Sequence, residues 1–201
     1  MDYLILVPIS YLMGSIPFGV LVGRVIKRVD IREHGSGNIG MTNVMRLAGV
    51  PAGMVVLALD MSKAVLAVIL AMWLGSSPGV TTICALSVLA GHIWPIFIGF
   101  KGGRGTASGW AALFVLSPIS GVVATMVALP LILITRYVSV GSIVGATVGG
   151  LTIVVLAFSG HTETHYAWFG FIGTSLILLR HTENMKRLIK GEERKLGNRE
   201  T

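Results

Sequence analysis

Residues 35–46 read Gly35-Ser36-Gly37-Asn38-Ile39-Gly40-Met41-Thr42-Asn43-Val44-Met45-Arg46, and this polar run interrupts a chain that is apolar on both sides. Closely spaced glycines let successive amides turn inward as a nest for an anion. Ser36, Asn38, Thr42 and Asn43 add neutral donors, and Arg46 can clamp a phosphate with two parallel hydrogen bonds. Together with Gly37 and Gly40 they form the first candidate phosphate-binding wall. The plainer alternative is a flexible loop in which glycines make turns and Arg46 marks topology.

A second cluster runs from Gly91-His92-Ile93-Trp94-Pro95 to Lys101-Gly102-Gly103-Arg104-Gly105-Thr106. Two cations, Lys101 and Arg104, flank the Gly102-Gly103 pair just before a new helix, whose N-terminus adds partial positive charge. The physics resembles that of a P-loop, although the G-x-x-x-x-G-K-[ST] spacing is missing. A snorkelling cationic turn is the competing reading, and His92 reads as a packed interfacial histidine.

The third cluster is Arg180-His181-Thr182-Glu183-Asn184-Met185-Lys186-Arg187. On a helix His181 and Asn184 share a face at i, i+3, and Glu183 can pair with Arg187 at i, i+4. His181 offers a general base or a charged donor. The distal stretch from Lys190 to Arg199 reads instead as a lipid-headgroup anchor. Asp60 and Lys63, i and i+3 within one apolar run, are expected to face the interior as a self-neutralising structural pair. Each charge in lipid costs roughly 2.5–3.5 kcal/mol on insertion scales. Arg136, Ser139 and Ser142 form a weaker polar group able to complete a pocket.

No metal or cofactor is expected. Asp2, Asp30 and Asp60 are too few and too scattered for a paired-aspartate magnesium site, and His161 and His165, at i, i+4, fall in a turn without Lys or Arg on the outer face, where they read as interfacial. No G-x-S-x-G elbow supplies a serine nucleophile.

The elements that must position these residues are membrane helices. The 201-residue chain is 53% hydrophobic and 12% charged, against about 25% charged in soluble domains. Its net charge of +7 is split by long apolar spans, which favours positive-inside topology over nucleic-acid binding. The single cysteine, Cys84, excludes an intramolecular disulfide and reads as a small core residue. The first segment lacks the basic start of a cleaved signal peptide.

Apolar runs fall near 3–23, 51–74, 80–99, 106–117, 119–135, 141–158 and 164–180, several shorter than the ~20 residues that cross a bilayer upright. The basic residues group as Arg24 to Arg46, Lys101 with Arg104, Arg136, and seven from Arg180 to Arg199. Segments 75–79, 117–120 and 159–165 carry none. Seven spans put every basic group on one face. The reading is therefore one all-α polytopic membrane domain over 1–201, N-terminus outside, with 181–201 a basic cytoplasmic helix and tail.

Four stretches in this order, Gly14-Ser15-Ile16-Pro17-Phe18-Gly19, Gly35 to Arg46, Gly91 to Ala107 and Arg180 to Asn184, resemble the bacterial acyl-phosphate:glycerol-3-phosphate acyltransferases, the PlsY family. The resemblance covers nearly the whole chain. It implies a multispanning inner-membrane enzyme that moves a fatty acyl group from acyl phosphate to the sn-1 hydroxyl of glycerol 3-phosphate, releasing lysophosphatidic acid and phosphate. Carried over by motif, the key residues fall on Ser36 and Arg46, on Lys101, Gly102, Gly103 and Arg104 as holders of glycerol 3-phosphate, and on His181 and Asn184 with Glu183 beside them. The implied partners are acyl phosphate, glycerol 3-phosphate and membrane lipid.

The chemistry suits those residue types, because an acyl phosphate is already a mixed anhydride with a good leaving group. Positioning and charge stabilisation can then carry the reaction. None of the five histidines has an aspartate five residues later, so the H-x-x-x-x-D base of coenzyme-A-dependent enzymes is missing. Substrate-assisted catalysis is the expectation, with a donor phosphate oxygen taking the hydroxyl proton. A transporter or flippase for a phosphorylated solute or lipid is the alternative from another class.

Overall fold

The computed structural model describes residues 2–197, so Arg199 and the end of the basic tail lie outside the described residues. Among these residues the secondary structure is entirely helical. The first apolar run is two helices, α1 (Asp2–Ser15) and α2 (Phe18–Lys27), parted at Ile16-Pro17. Pro17 offers no amide and pushes Ile16 out of helical geometry. The Ile16 carbonyl thereby released accepts a hydrogen bond from Lys63 Nζ at 2.9 Å.

A short helix α3 (Met41–Ala48) follows the polar loop and turns at Gly49 into α4 (Val50–Leu74). Then come α5 (Pro78–Ile93), α6 (Thr106–Leu116), α7 (Pro118–Thr135) and α8 (Val138–Phe158). The break between α6 and α7 has a local cause. Ser117 accepts from the Ser120 amide and Pro118 takes the first helical position, where its missing N–H costs nothing. The chain ends in α9 (Tyr166–Trp168), a wide π turn at Phe169–Gly173, α10 (Thr174–Arg180) and α11 (Thr182–Ile189).

All seven apolar runs are therefore helical. Five of the resulting segments are long and apolar enough to cross a membrane, Asp2–Lys27, Val50–Leu74, Pro78–Ile98, Pro118–Thr135 and Val138–Phe158, whereas Thr106–Leu116 and Tyr166–Arg180 are shorter. At 1.5 Å per residue, α6 reaches only about half of a ~30 Å hydrocarbon core.

Where lipid replaces water, helices gain little by hiding leucine, so close packing decides how they associate. The main core joins Val68, Leu89, Ile93, Ala112, Ile153 and Phe169 from α4, α5, α6, α8 and the π turn. Between α1 and α5 the backbones nearly touch. A methyl at Gly14 would strike the Val88 carbonyl, and one at Gly91 the Tyr11 carbonyl. On the outside Leu4, Trp73, Ile134 and Phe158 are exposed, as a lipid-facing surface requires.

Candidate active site

The loop before α3 is built from its own side chains. Asp30 accepts from the Arg32 amide at 3.0 Å and from Arg32 Nε at 2.9 Å. Those bonds hold its carboxyl well below the usual carboxylate range. Asn43 is buried and fastens the turn from behind. Its Nδ2 donates to the carbonyls of Ile31 and His34, both at 3.1 Å, and its Oδ1 accepts the Ser36 amide at 3.0 Å. The Gly37 amide goes to the His34 carbonyl at 3.0 Å, and the Gly40 amide to Asn38 Oδ1 at 2.8 Å. The amides of Ser36, Gly37 and Gly40 are thus already bonded and add nothing to an anion nest. The side chains of Ser36, Thr42 and Arg46 line the cavities described below.

The second loop folds back onto the end of α5. The Gly102 amide donates to the Ile93 carbonyl at 3.2 Å and the Gly103 amide to the His92 carbonyl at 3.0 Å. Both glycines are buried, and a methyl at Gly103 would fall inside contact distance of His92 Nε2. Arg180 Nε reaches the Gly103 carbonyl at 3.4 Å, tying the third segment to this loop. Lys101 is exposed and points at neither cavity described below. Arg104 alone of the four faces the site. Burial pulls its pKa down to about 10, with the negative charge of Glu193 opposing that fall, so it stays a cation at neutral pH.

Beneath this loop sits a buried charge cluster. Lys63 Nζ lies 2.8 Å from Asp60 Oδ1, and His92 Nδ1 lies 3.5 Å from the same oxygen. Ser108 Oγ donates to the Asp60 carbonyl at 3.1 Å, which fixes α6 against α4. His92 is therefore a core residue tied to charge rather than an interfacial one, since its ring supports the Gly103 backbone.

In the third segment His181 is buried and its Nδ1 lies 2.8 Å from the Ile177 carbonyl. Donation from Nδ1 leaves Nε2 as the ring's acceptor. Burial is the main cause that drives its pKa down to about 4, so the ring is neutral at physiological pH. Glu183 pairs with Lys186 at 2.8 Å and not with Arg187. The i, i+4 pairing read from sequence fails because Arg187 Nε instead meets Glu193 Oε2 at 2.8 Å. Asn184 Nδ2 donates to Glu193 Oε1 at 2.6 Å, as does Ser139 Oγ at 2.8 Å. Burial alone would raise the Glu193 pKa, but the bonds from Asn184, Ser139 and Arg187 outweigh it and keep the carboxylate ionised.

These segments enclose two adjoining cavities. A polar one of about 270 Å³ is lined by Ser36, Thr42, Arg46, Arg104, Ser139, Asn184, Arg187, Glu193 and Arg194. Four arginines face one carboxylate there, so the cavity favours anions. A larger one of about 470 Å³ shares Ser36, Thr42, Arg46, Arg104 and Ser139, then runs between helices past Trp110, Leu113, Leu129, Ile132 and Phe169. Asn38, Gly40, Asn43, Asp60, His92, Ser142 and His181 also line it. The structure thus joins Ser36, Arg46, Arg104 and Asn184 in one cavity, with His181 and Ser142 in its neighbour. Gly37, Lys63, Lys101, Gly102, Gly103 and Glu183 line neither.

Glu193 and Arg194 were not legible as site residues, and Arg187 was read only as a helix partner of Glu183. A dense charge run reads as a solvated anchor, and only a long-range return of the chain places it here. Such a paired cationic and apolar cavity fits a ligand with a phosphate head and a long tail. A family model described as glycerol-3-phosphate acyltransferase matches residues 4–191. The chain belongs to the glycerol-3-phosphate acyltransferase family.

Relatives carrying that name include one from Desulforamulus reducens, 43% identical over 96% of this chain and 94% of its own length. Another, glycerol-3-phosphate acyltransferase 2 of Moorella thermoacetica, is 41% identical over 98% of this chain and 99% of its own. A crystal structure of PlsY (YgiH), an integral membrane glycerol 3-phosphate acyltransferase in its glycerol 3-phosphate form, is 36% identical. It superposes with a TM-score of 0.89 over 98% of this chain and 96% of that one. Its lysophosphatidic acid form superposes with a TM-score of 0.88 at 35% identity. This chain is accordingly an integral membrane protein of that fold.

Proposed function

We infer that the chain performs its family's reaction, acylating the sn-1 hydroxyl of glycerol 3-phosphate to lysophosphatidic acid, with acyl phosphate as donor. The observation that carries this reading is the junction of an arginine-lined cavity with an apolar one at Ser36, Thr42, Arg46 and Arg104. Phosphates of acceptor and donor meet the arginines, and the acyl chain lies along Trp110, Leu113 and Leu129 between helices.

The chemistry is one displacement. The acceptor hydroxyl attacks the donor carbonyl, its carbon–oxygen bond to phosphate breaks, and inorganic phosphate leaves. Arg46 and Arg104 stabilise the charge that builds on the phosphates and carbonyl oxygen. Ser36 adds a neutral donor, and Asn184, whose Oδ1 has no hydrogen-bond partner among the described residues, can accept from an acceptor hydroxyl. Lys101 remains a peripheral contact for incoming anions, and the packed pair Gly102-Gly103 holds Arg104 in place. A histidine with a pKa near 4 and Nδ1 already bonded is a weak base. That supports proton transfer to a phosphate oxygen of the donor, with His181 shaping the wall.

We read the topology as seven crossings of a bacterial inner membrane, N-terminus outside, with the site open to the cytoplasm. Every Lys and Arg group outside the spans then falls on one side, and soluble glycerol 3-phosphate enters from water while the acyl chain stays in lipid.

The purified protein in detergent, given glycerol 3-phosphate with acyl phosphate, acyl-coenzyme A or acyl-carrier donors in parallel, tests both halves. Lysophosphatidic acid is expected from acyl phosphate alone. Equal turnover from a thioester donor overturns the donor assignment. Counterflow of glycerol 3-phosphate in liposomes without any product would make the chain a transporter.

A further inference from the structure

Beyond α11 the chain does not leave the molecule but returns to line the arginine-lined cavity with Glu193 and Arg194. The Leu196 amide donates to the Arg136 carbonyl at 2.6 Å, and Arg136 Nη2 donates to the Leu196 carbonyl at 3.3 Å. Lys195 Nζ lies 5.6 Å from the centre of the Tyr137 ring. Arg46 Nη2 reaches the Arg194 carbonyl at 3.3 Å. These contacts fix residues 192–196 as a strap, and the strap drives Glu193 inward.

The Glu193 side chain is only 8% exposed. Its two oxygens take bonds from Asn184, Ser139 and Arg187 at 2.6, 2.8 and 2.8 Å. Three short bonds to one anionic group, with Arg46 and Arg104 on the same cavity wall, are the contacts a phosphate monoester would seek. Glu193 is also the one carboxylate among the described residues lining that cavity. It lies past residue 191, where the family match stops.

We propose that Glu193 is a built-in competitor, its carboxylate filling the subsite of a phosphate monoester until that ligand displaces it and lifts the strap. That the monoester is glycerol 3-phosphate rests on the acyltransferase reading; the displacement itself does not. A dianionic phosphate and a carboxylate cannot share the same donors, because like charges so close repel strongly. Leu196 lines the larger cavity, so the same movement opens the wall between the two. The strap therefore sets the apparent affinity for the acceptor, which is the intrinsic affinity multiplied by the fraction of molecules with Glu193 withdrawn.

Two variants of the full protein test this, Glu193→Gln, which keeps the shape and removes the charge, and a chain ending at Gly191. Titration with inorganic phosphate by calorimetry and KM for glycerol 3-phosphate are measured for each. Both constants are expected to fall about three- to ten-fold as the competing anion is removed. Trypsin cleavage after Arg194 and Lys195 in the unaltered protein is expected to accelerate when phosphate is added. Unchanged or weaker phosphate binding in both variants, or cleavage slowed by phosphate, would make Glu193 a brace for Asn184 and Arg187 and overturn the proposal. Phosphate binding and proteolysis need no acyl transfer. A protein that bound phosphate more tightly as Glu193→Gln yet made no lysophosphatidic acid would sink the acyltransferase reading and leave the competitor standing.

Discussion

The two glycine-rich loops look alike in sequence and do different work in the fold. Gly35–Arg46 presents side chains, with Ser36, Thr42 and Arg46 lining both cavities. Lys101–Arg104 is packed from beneath, its glycines buried against His92 and its amides bonded to α5. One cation of the second loop, Arg104, faces the site, and the other, Lys101, faces out. The lesson is that a glycine beside a cation has two uses. It can shape a turn that presents neighbouring side chains to a cavity, or it can let the backbone pass close to a neighbour so that a single side chain is aimed.

Substitutions that separate these uses test the comparison. Arg46→Ala removes a fork aimed at developing phosphate charge and should lower kcat/KM for glycerol 3-phosphate by about a hundred-fold or more. A loss under ten-fold would leave the first loop a scaffold. Gly103→Ala should act through stability instead, since its methyl meets the His92 ring and overpacking costs about 1–3 kcal/mol. Thermal unfolding in detergent reads that cost, and a variant as stable as the parent would refute the packed role. Arg104→Lys keeps the charge and loses the fork, so activity should fall by about ten-fold or less, with Arg104→Ala well below it.

The pH response concerns the third segment, which Arg180 ties to the second loop. Burial lowers the His181 pKa from 6.5 to about 4. Its neutral form therefore stabilises the fold fully above the unfolded value. That contribution is lost as pH falls from about 6.5 towards 4, because the unfolded chain takes the proton first. Melting temperature followed from pH 7 to 4 should decline more steeply in the parent than in His181→Gln. Rate profiles of the two between pH 6 and 8 should share one shape, and a basic limb seen only in the parent would make His181 the base. The smallest effect is expected of Lys101→Ala, a change within about two-fold in KM, as exposed charges act weakly through screened water.

Much of the fold could be read from hydropathy and charge alone. The seven apolar runs are all helical, and the split at Ser117-Pro118 follows from a serine cap and a proline start. The turn at Ile16-Pro17 was hidden inside one run, because the run stays apolar while its backbone breaks. Site residues were legible where polarity interrupts grease, as at Ser36, Arg46 and His181. They were illegible inside a polar tail, where Glu193 is one charge among many.

The sequence by itself determined the membrane class, the helical segments, and three polar stretches whose residue types suit phosphate. Periodicity and solvation are local, so a chain displays them without folding. Which donors remain open, which glycines are buried, and which carboxylate enters the cavity were decided only by tertiary structure. Those outcomes depend on partners far apart in the chain, Ser139 with Glu193 across 54 residues and Arg46 with Arg194 across 148. A hydrogen bond already made in the fold removes a donor from the site, and no local pattern records that bond.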